Sequence, residues 1–344
     1  MYTQLIALTL SLGVATAVWA QKNQLNLFIW SEYIDPQIIA DFEQEYDCKV
    51  TIDLYEDNEA MLAKLQGGGV ALYDICVPSD YIIPALLKLQ LLAPLRHENI
   101  PNLKHLDGQF ASPPFDPGNK YTVAYQWGTS GIYLRKKPDE AIEETWGLIF
   151  DAKKQPGAFL LIDDMRAMIG AALIYKGYSV NSTDTRHLKE AGELLRGAKR
   201  RSQGFASGVE GKNRVLSQGV RLAMAYNGDA VRGTRADADT HYFVPKEGGE
   251  IWVDSLCIPA QAPHRDMAEK FINYLLDPKV GARLSNFNRF ATPNAAAKAF
   301  ITPEDLHNPA IYPPSDIMAK LQFVHDLGKK VRLYDELWTQ IKAK

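Results

Sequence analysis

Cysteine is scarce: the 344 residues contain three, at positions 48, 76 and 257. An odd number at unrelated spacings argues against a disulfide framework and against a zinc ribbon. Cys76 falls in "YDICVP" and Cys257 in "DSLCIP", both apolar strand-like runs, so buried thiols are expected, with at most one disulfide in an oxidising compartment. An excess of either charge is missing too, the formal net charge being -3. The basic run Lys199-Arg200-Arg201 is short and leads into a glycine-containing loop. That argues against nucleic acid as a partner, because phosphate backbones are bound through broad basic surfaces. After residue 20 no stretch approaches the roughly 18 uncharged residues of a membrane-spanning helix.

Catalytic signatures are missing as well. There is no Gly-x-Ser-x-Gly elbow, no His-Glu-x-x-His helix and no Cys/His pairing, and the seven histidines fall mostly in polar loop-like or helical contexts. Gly67-Gly68-Gly69 follows a helical pattern and lacks a Lys-Ser/Thr, so it does not read as a phosphate loop. No enzyme is expected. The residual enzymatic reading is a hydrolase built on paired carboxylates such as Asp164 and Asp254, where their separation would decide the mechanism.

What is present begins with "MYTQLIALTLSLGVATAVWA", twenty residues without a charged side chain ending in Val18-Trp19-Ala20. This fits a signal peptide of residues 1–20 cleaved after Ala20, and hence export; an uncleaved membrane anchor is the alternative. The length suggests two domains, and 46% hydrophobic with 23% charged residues is globular composition. Strand-like runs then alternate with helical patterns, the signature of α/β architecture with parallel strands. Strands are expected at "LNLFIW", "KVTIDLY", "YDICVPS", "GAFLLIDD" and "RLAMAYNGD". Helices are expected at about 36–46, 58–65, 81–90, 165–175, 185–200 and 266–276. "YTVAYQWGTSGIYLRKK", 121–137, stays extended across a break of small residues and is able to cross from one lobe to another.

Five strand ends share an oddity. "LFIWSEY" brings Trp30, Ser31, Glu32 and Tyr33; "DICVPSDY" brings Ser79 and Tyr81; "LLIDDMR" brings Asp163 and Asp164; "LAMAYNGD" brings Tyr226 and Asp229; "EIWVDS" sets Trp252 and Asp254 two apart, on one strand face. Singly, each has a plain structural role: the aromatics as core, one aspartate of 163 and 164 as a helix cap. Together they describe a slot. Aromatic faces attract cations and carboxylates bind ammonium groups, whereas a hard metal wants a dense oxygen shell and has no use for aromatics. The mixture reads as a site for an organic cation with an apolar middle and charged ends. A carboxylate ligand would instead need an arginine, for which Arg166 is the candidate, with a helix-face salt bridge as its alternative role.

Read in order, "LFIWSEYIDP", "YEDNEAMLAKL", "YDICVPSDY", "PFDPGNKYTVAYQWGTSGI", "LLIDDMR", "VPKEGGEIWVDSLCIP" and "ATPNAAA" resemble the spermidine/putrescine-binding proteins of bacterial ABC importers, from about residue 24 to the C-terminus. The resemblance implies an α/β fold of the type II periplasmic-binding-protein kind, two lobes with mixed sheets joined by hinge crossovers. Lobe 1 would hold residues 24–129 and 255–301, lobe 2 residues 130–254 and 302–344. It implies a periplasmic monomer, without cofactor or metal, that closes on a polyamine and hands it to a membrane ABC permease, or in a sensor variant reports it to a membrane signalling protein. Trp30, Ser31, Tyr33, Ser79 and Tyr81 would line one wall; Asp164, Tyr226 and Asp229 the other; Trp252 and Asp254 the region near the hinge. Phe290 falls where the family has an aromatic. The chain departs from the spermidine-type pattern at Ala167, Val324, Tyr226 and Asp229, which stand where that pattern has Glu, Gln, Trp and Ser. Asp229 resembles the putrescine-preferring members, so a diamine is expected to be favoured over spermidine. Glu32 is the residue able to swing in and replace the missing acid.

Overall fold

Alternation along the first strand organises the N-terminal half of the molecule. In the computed structural model, which describes residues 23–137 and 139–343, Asn23–Trp30 is strand β1. The segment read as a signal peptide lies outside the described residues. Leu25, Leu27 and Ile29 are buried on one face of β1, in one cluster with Phe42 of the helix Pro36–Glu45 and Phe271 of the helix Arg265–Leu275. Phe28 points the other way, 4.7 Å from the Tyr55 ring and 4.4 Å from Tyr73. Each such fully buried Leu, Ile or Phe contributes about 1.5–3 kcal/mol. The chain leaves β1 through Asp35, whose side chain accepts from the Gln37 N–H at 2.9 Å, with Pro36 in the first helical turn.

The remaining strands are β2 (Cys48–Tyr55), β3 (Ile75–Cys76), β4 (Thr122–Arg135), β5 (Phe159–Ile162), β6 (Phe205–Ala206), β7 (Leu222–Tyr226), β8 (Thr240–Phe243), β9 (Gly249–Cys257) and β10 (Leu321–Phe323). The sheet order is β2-β1-β3-β9-β4-β7-β5-β6, with β10 on β9 and β8 on β4. The expectation of parallel strands holds at β1/β2, β1/β3, β5/β6, β5/β7 and β9/β10. It fails at β3/β9 and at every contact of β4, which are antiparallel. The reason is β4 and β9 themselves: they run side by side in opposite senses between the two lobes. Over Thr122–Thr129 β4 pairs with β9; from Ser130 to Leu134 it pairs with β7. The small-residue break is therefore one continuous strand that changes partner. Gly128 is needed there, because a Cβ would lie 2.2 Å from Asn227 Oδ1 and 2.6 Å from the Trp252 ring.

Three expected strands are shorter than read, "GAFLLIDD" forming a strand only over Phe159–Ile162. "YDICVPS" contributes only Ile75–Cys76, since Pro78 has no N–H to give a ladder. "RLAMAYNGD" ends at Tyr226, and Asn227–Ala236 is helix, so Asp229 sits in a first helical turn. The remaining helices match to within a few residues, including Met165–Tyr175 and Thr185–Arg201. With the C-terminal helix Val331–Ala343 these bury Leu173, Leu195, Tyr334 and Ile341 in the second lobe. Cys48, Cys76 and Cys257 are all buried; Cys76 and Cys257 stand opposite each other across β3 and β9 as thiols.

Candidate functional site

The carboxyl ends of β1 and β3, the starts of three helices and one face of β9 converge on a slot between the lobes with a cavity volume of about 70 Å³. Trp30, Ser31, Tyr33, Ser79, Tyr81, Asp164, Tyr226, Asp229, Trp252, Asp254 and Phe290 all line it. So do Glu56, Gly208, Val209 and Glu250, which strand-end reading missed. Glu250 carried a usable signal, since it stands two residues before Trp252 and so shares its strand face. Glu56 directly follows the last residue of β2. Gly208 and Val209 begin a helix and carried none.

Aromatic edges build the walls. Tyr33 and Trp252 each meet the Phe290 ring edge-on, at 5.2 and 5.3 Å, and Tyr226 meets Trp252 at 5.8 Å. Phe290 lies against Gly228, where a Cβ would be 2.5 Å from its ring. Trp30 is steered by its indole N–H donating to the Val77 carbonyl at 2.9 Å. Asn58 donates to Ser79 Oγ at 3.1 Å and to Tyr81 Oη at 3.2 Å, which fixes both hydroxyls.

The acids have unlike surroundings. Asp254 is buried and accepts from Tyr33 Oη at 2.7 Å and Ser79 Oγ at 2.6 Å. Among the described residues it has no ion-pair partner. Burial pushes its carboxyl up to about 7, with those two hydrogen bonds pulling against it. Glu250 is buried beside Ser130, whose Oγ donates at 3.1 Å; burial first and the Asp164 charge second raise it to about 8. Asp164 does both jobs the sequence suggested. It caps the helix Met165–Tyr175 through the Ala167 N–H at 2.8 Å and faces the slot, where Tyr226 Oη donates to it at 3.1 Å. Burial still raises it. Asp163 points out to an ion pair with Lys342 at 2.7 Å.

Asp229 and Glu32 are already engaged. Arg232 Nη2 lies 2.6 Å from Asp229 Oδ1 and 2.7 Å from Glu32 Oε2, and Lys212 Nζ is 2.7 Å from the same Glu32 oxygen. Burial raises Asp229, and Arg232 and Lys212 counter it. At Glu32 partial burial works upward, yet Lys212 and Arg232 hold the carboxyl below its ordinary value. In the ligand-free protein Glu32 ties the end of β1 to two helices of the other wall, with a backbone φ of 51°. Among the described residues Arg166 has no salt-bridge partner. Its guanidinium is buried 5.2 Å from the Tyr81 ring and 5.0 Å from the Tyr334 ring, and donates to the His325 carbonyl and to Asn181. It is not among the residues lining the slot.

Residues 37–313 match the family model of bacterial extracellular solute-binding proteins. The spermidine/putrescine-binding periplasmic protein of Salmonella typhimurium is 32% identical over 98% of this chain and 97% of its own. A putrescine/cadaverine-binding protein of Pseudomonas aeruginosa is 32% identical over 99% of each. The solved structure of a putative spermidine/putrescine ABC transporter from Listeria monocytogenes superposes with a TM-score of 0.87 at 36% identity, covering 93% of this chain and 99% of that one. Among the described residues no helix is long and apolar enough to cross a membrane. A two-lobed fold of the type II kind, a slot between the lobes and likeness over nearly the whole length agree: the chain belongs to the bacterial extracellular solute-binding proteins, in the family of spermidine/putrescine-binding components of ABC transporters.

Proposed function

We propose that this protein captures a polyamine in the interlobe slot, a putrescine-like diamine in preference to spermidine, and delivers it to a membrane ABC permease without chemical turnover. It does so as a monomer in the periplasm, exported by a signal peptide ending at Ala20, with lobes of residues 24–129 plus 255–301 and 130–254 plus 302–344, the first boundary being where β4 changes partner. The observation that carries the reading is Asp254, a buried carboxylate satisfied by two neutral hydroxyls among aromatic walls, with no fixed cation beside it. An alkylammonium group supplies the missing charge and offers N–H donors, while its methylenes lie against Trp252 and Phe290. The relatives named for spermidine, putrescine and cadaverine support the ligand class.

The polar complement supports the diamine: Ala167 and Val324 withhold two polar groups of the spermidine-type pattern, and an unpaired buried ammonium costs several kcal/mol against about 0.8 kcal/mol returned per methylene. Calorimetry on the mature protein with putrescine, cadaverine, spermidine and spermine tests this. Putrescine is expected to bind at least tenfold more tightly than spermidine; spermidine binding more tightly overturns the preference, and no heat with any amine overturns the function.

A further inference from the structure

Resting on the polyamine reading, we infer that Glu250, and not Asp229, holds the second ammonium of a bound diamine, so that Glu250, Trp252 and Asp254 form a ruler along one face of β9. The three alternate on a single strand and all line the slot. Four residues of strand separate the Cα atoms of Glu250 and Asp254 by about 13 Å, at about 3.3 Å per residue. An extended four-carbon diamine spans about 6 Å between nitrogens, and a charge-assisted hydrogen bond of about 2.8 Å at each end brings the carboxylate-to-carboxylate reach to about 12 Å. Trp252 sits between, where the methylenes pass.

Availability separates the two candidate acids. Asp229 is neutralised by Arg232 at 2.6 Å. Glu250 accepts one side-chain hydrogen bond, from Ser130 Oγ, and forms no ion pair among the described residues. The ionisable groups that act on it or feel it are Asp164, Arg166, Asp254, Asp80, Tyr226 and Tyr242; Gln322 is its strand partner on β10. Arg166 is the one cation of that set, and it is held by carbonyl and amide oxygens and two aromatic faces. Burial first, and then the charges of Asp164 and Asp254, raise its carboxyl in the empty slot, so an arriving ammonium is expected to displace a proton from it.

The test compares butylamine, one ammonium on the same four carbons, with putrescine, by calorimetry at pH 7 in buffers of different ionisation heat. Glu250→Gln is expected to weaken putrescine about a hundredfold, to change butylamine less than threefold, and to reduce the protons released with putrescine. Glu250→Asp, which withdraws the carboxylate by one methylene, is expected to shift preference from putrescine to cadaverine, and gives an answer even where the Gln variant folds poorly. A putrescine loss under threefold, an equal loss for both amines, or an unshifted diamine preference in Glu250→Asp overturns the ruler. Failure of the unmodified protein to bind any of these amines overturns the polyamine reading itself.

Discussion

Asp254 and Asp229 line the same slot, are both buried, and are both raised by that burial. Their partners differ. Asp254 rests on hydroxyls delivered from residues 221 and 175 positions away, whereas Asp229 rests on a guanidinium three residues along its own helix. A neutral donor satisfies lone pairs and leaves the charge uncompensated; a guanidinium does both. An acid near a slot is therefore a cation site only where the fold withholds a fixed cation from it. By that criterion Asp254, Glu250 and Asp164 are open, Asp164 with the Ala167 N–H and Tyr226 hydroxyl as its donors, and Asp229 is closed.

The largest expected effect tests the open end. Asp254→Asn keeps the shape and removes the charge, and is expected to weaken putrescine by roughly 2–4 kcal/mol with the fold intact. Calorimetry beside circular dichroism reads this, and a loss under about 0.5 kcal/mol would mean the carboxylate serves no ammonium.

Next comes pH. Asp254 and Glu250 are raised when the slot is empty, so at pH 6 both are largely protonated and each ammonium must expel a proton. Putrescine affinity is expected to climb at least tenfold, about 1.4 kcal/mol, between pH 6 and pH 8.5. For stability the sign is opposite. A raised acid contributes in full below its unfolded value near 4, and that contribution is lost as pH rises toward about 7. Thermal melts of the empty protein should therefore fall across that window and fall less in Asp254→Asn. Affinity that is flat across the range would show that the slot is charged before ligand arrives.

Opening the closed acid sharpens the contrast. Arg232→Gln strands Asp229 beside Lys212 alone, so the melting temperature of the empty protein is expected to fall and spermidine to gain about tenfold relative to putrescine. Unchanged selectivity would place Asp229 out of a ligand's reach. The smallest effect belongs to Asp229→Asn, expected to cost putrescine less than about 1 kcal/mol, because the charge removed is one the protein already neutralises. A loss as large as that of Asp254→Asn would erase the distinction between the two acids.

Much of this slot was legible. Strand ends in α/β folds converge on one side of the sheet, so Trp30, Ser79, Asp164 and Tyr226 meet there, whereas Trp252 and Asp254, read as a strand end, lie inside β9, and Phe290, expected from the family resemblance alone, follows a helix. Glu250 was overlooked although the period of two that linked Trp252 to Asp254 reaches it as well. The pairing of Asp229 was hidden by reading "YNGD" as a strand end: the i, i+3 contact with Arg232 exists only because Asn227 begins a helix. The tie from Glu32 to Lys212 spans 180 residues and has no local trace.

By itself the sequence determined many of the element types, though not the helix Asn227–Ala236, and the helix starts at Asp35 and Asp164. These follow from repeats of 2 and 3.6 residues and from capping hydrogen bonds, which act over a few residues. Only the tertiary structure decided which acids remain available to a cation and that β4 carries one strand through both lobes. A carboxylate is satisfied by whatever donor, neutral or charged, comes within a few ångströms in space, and the donors here stand from 3 to 221 residues away.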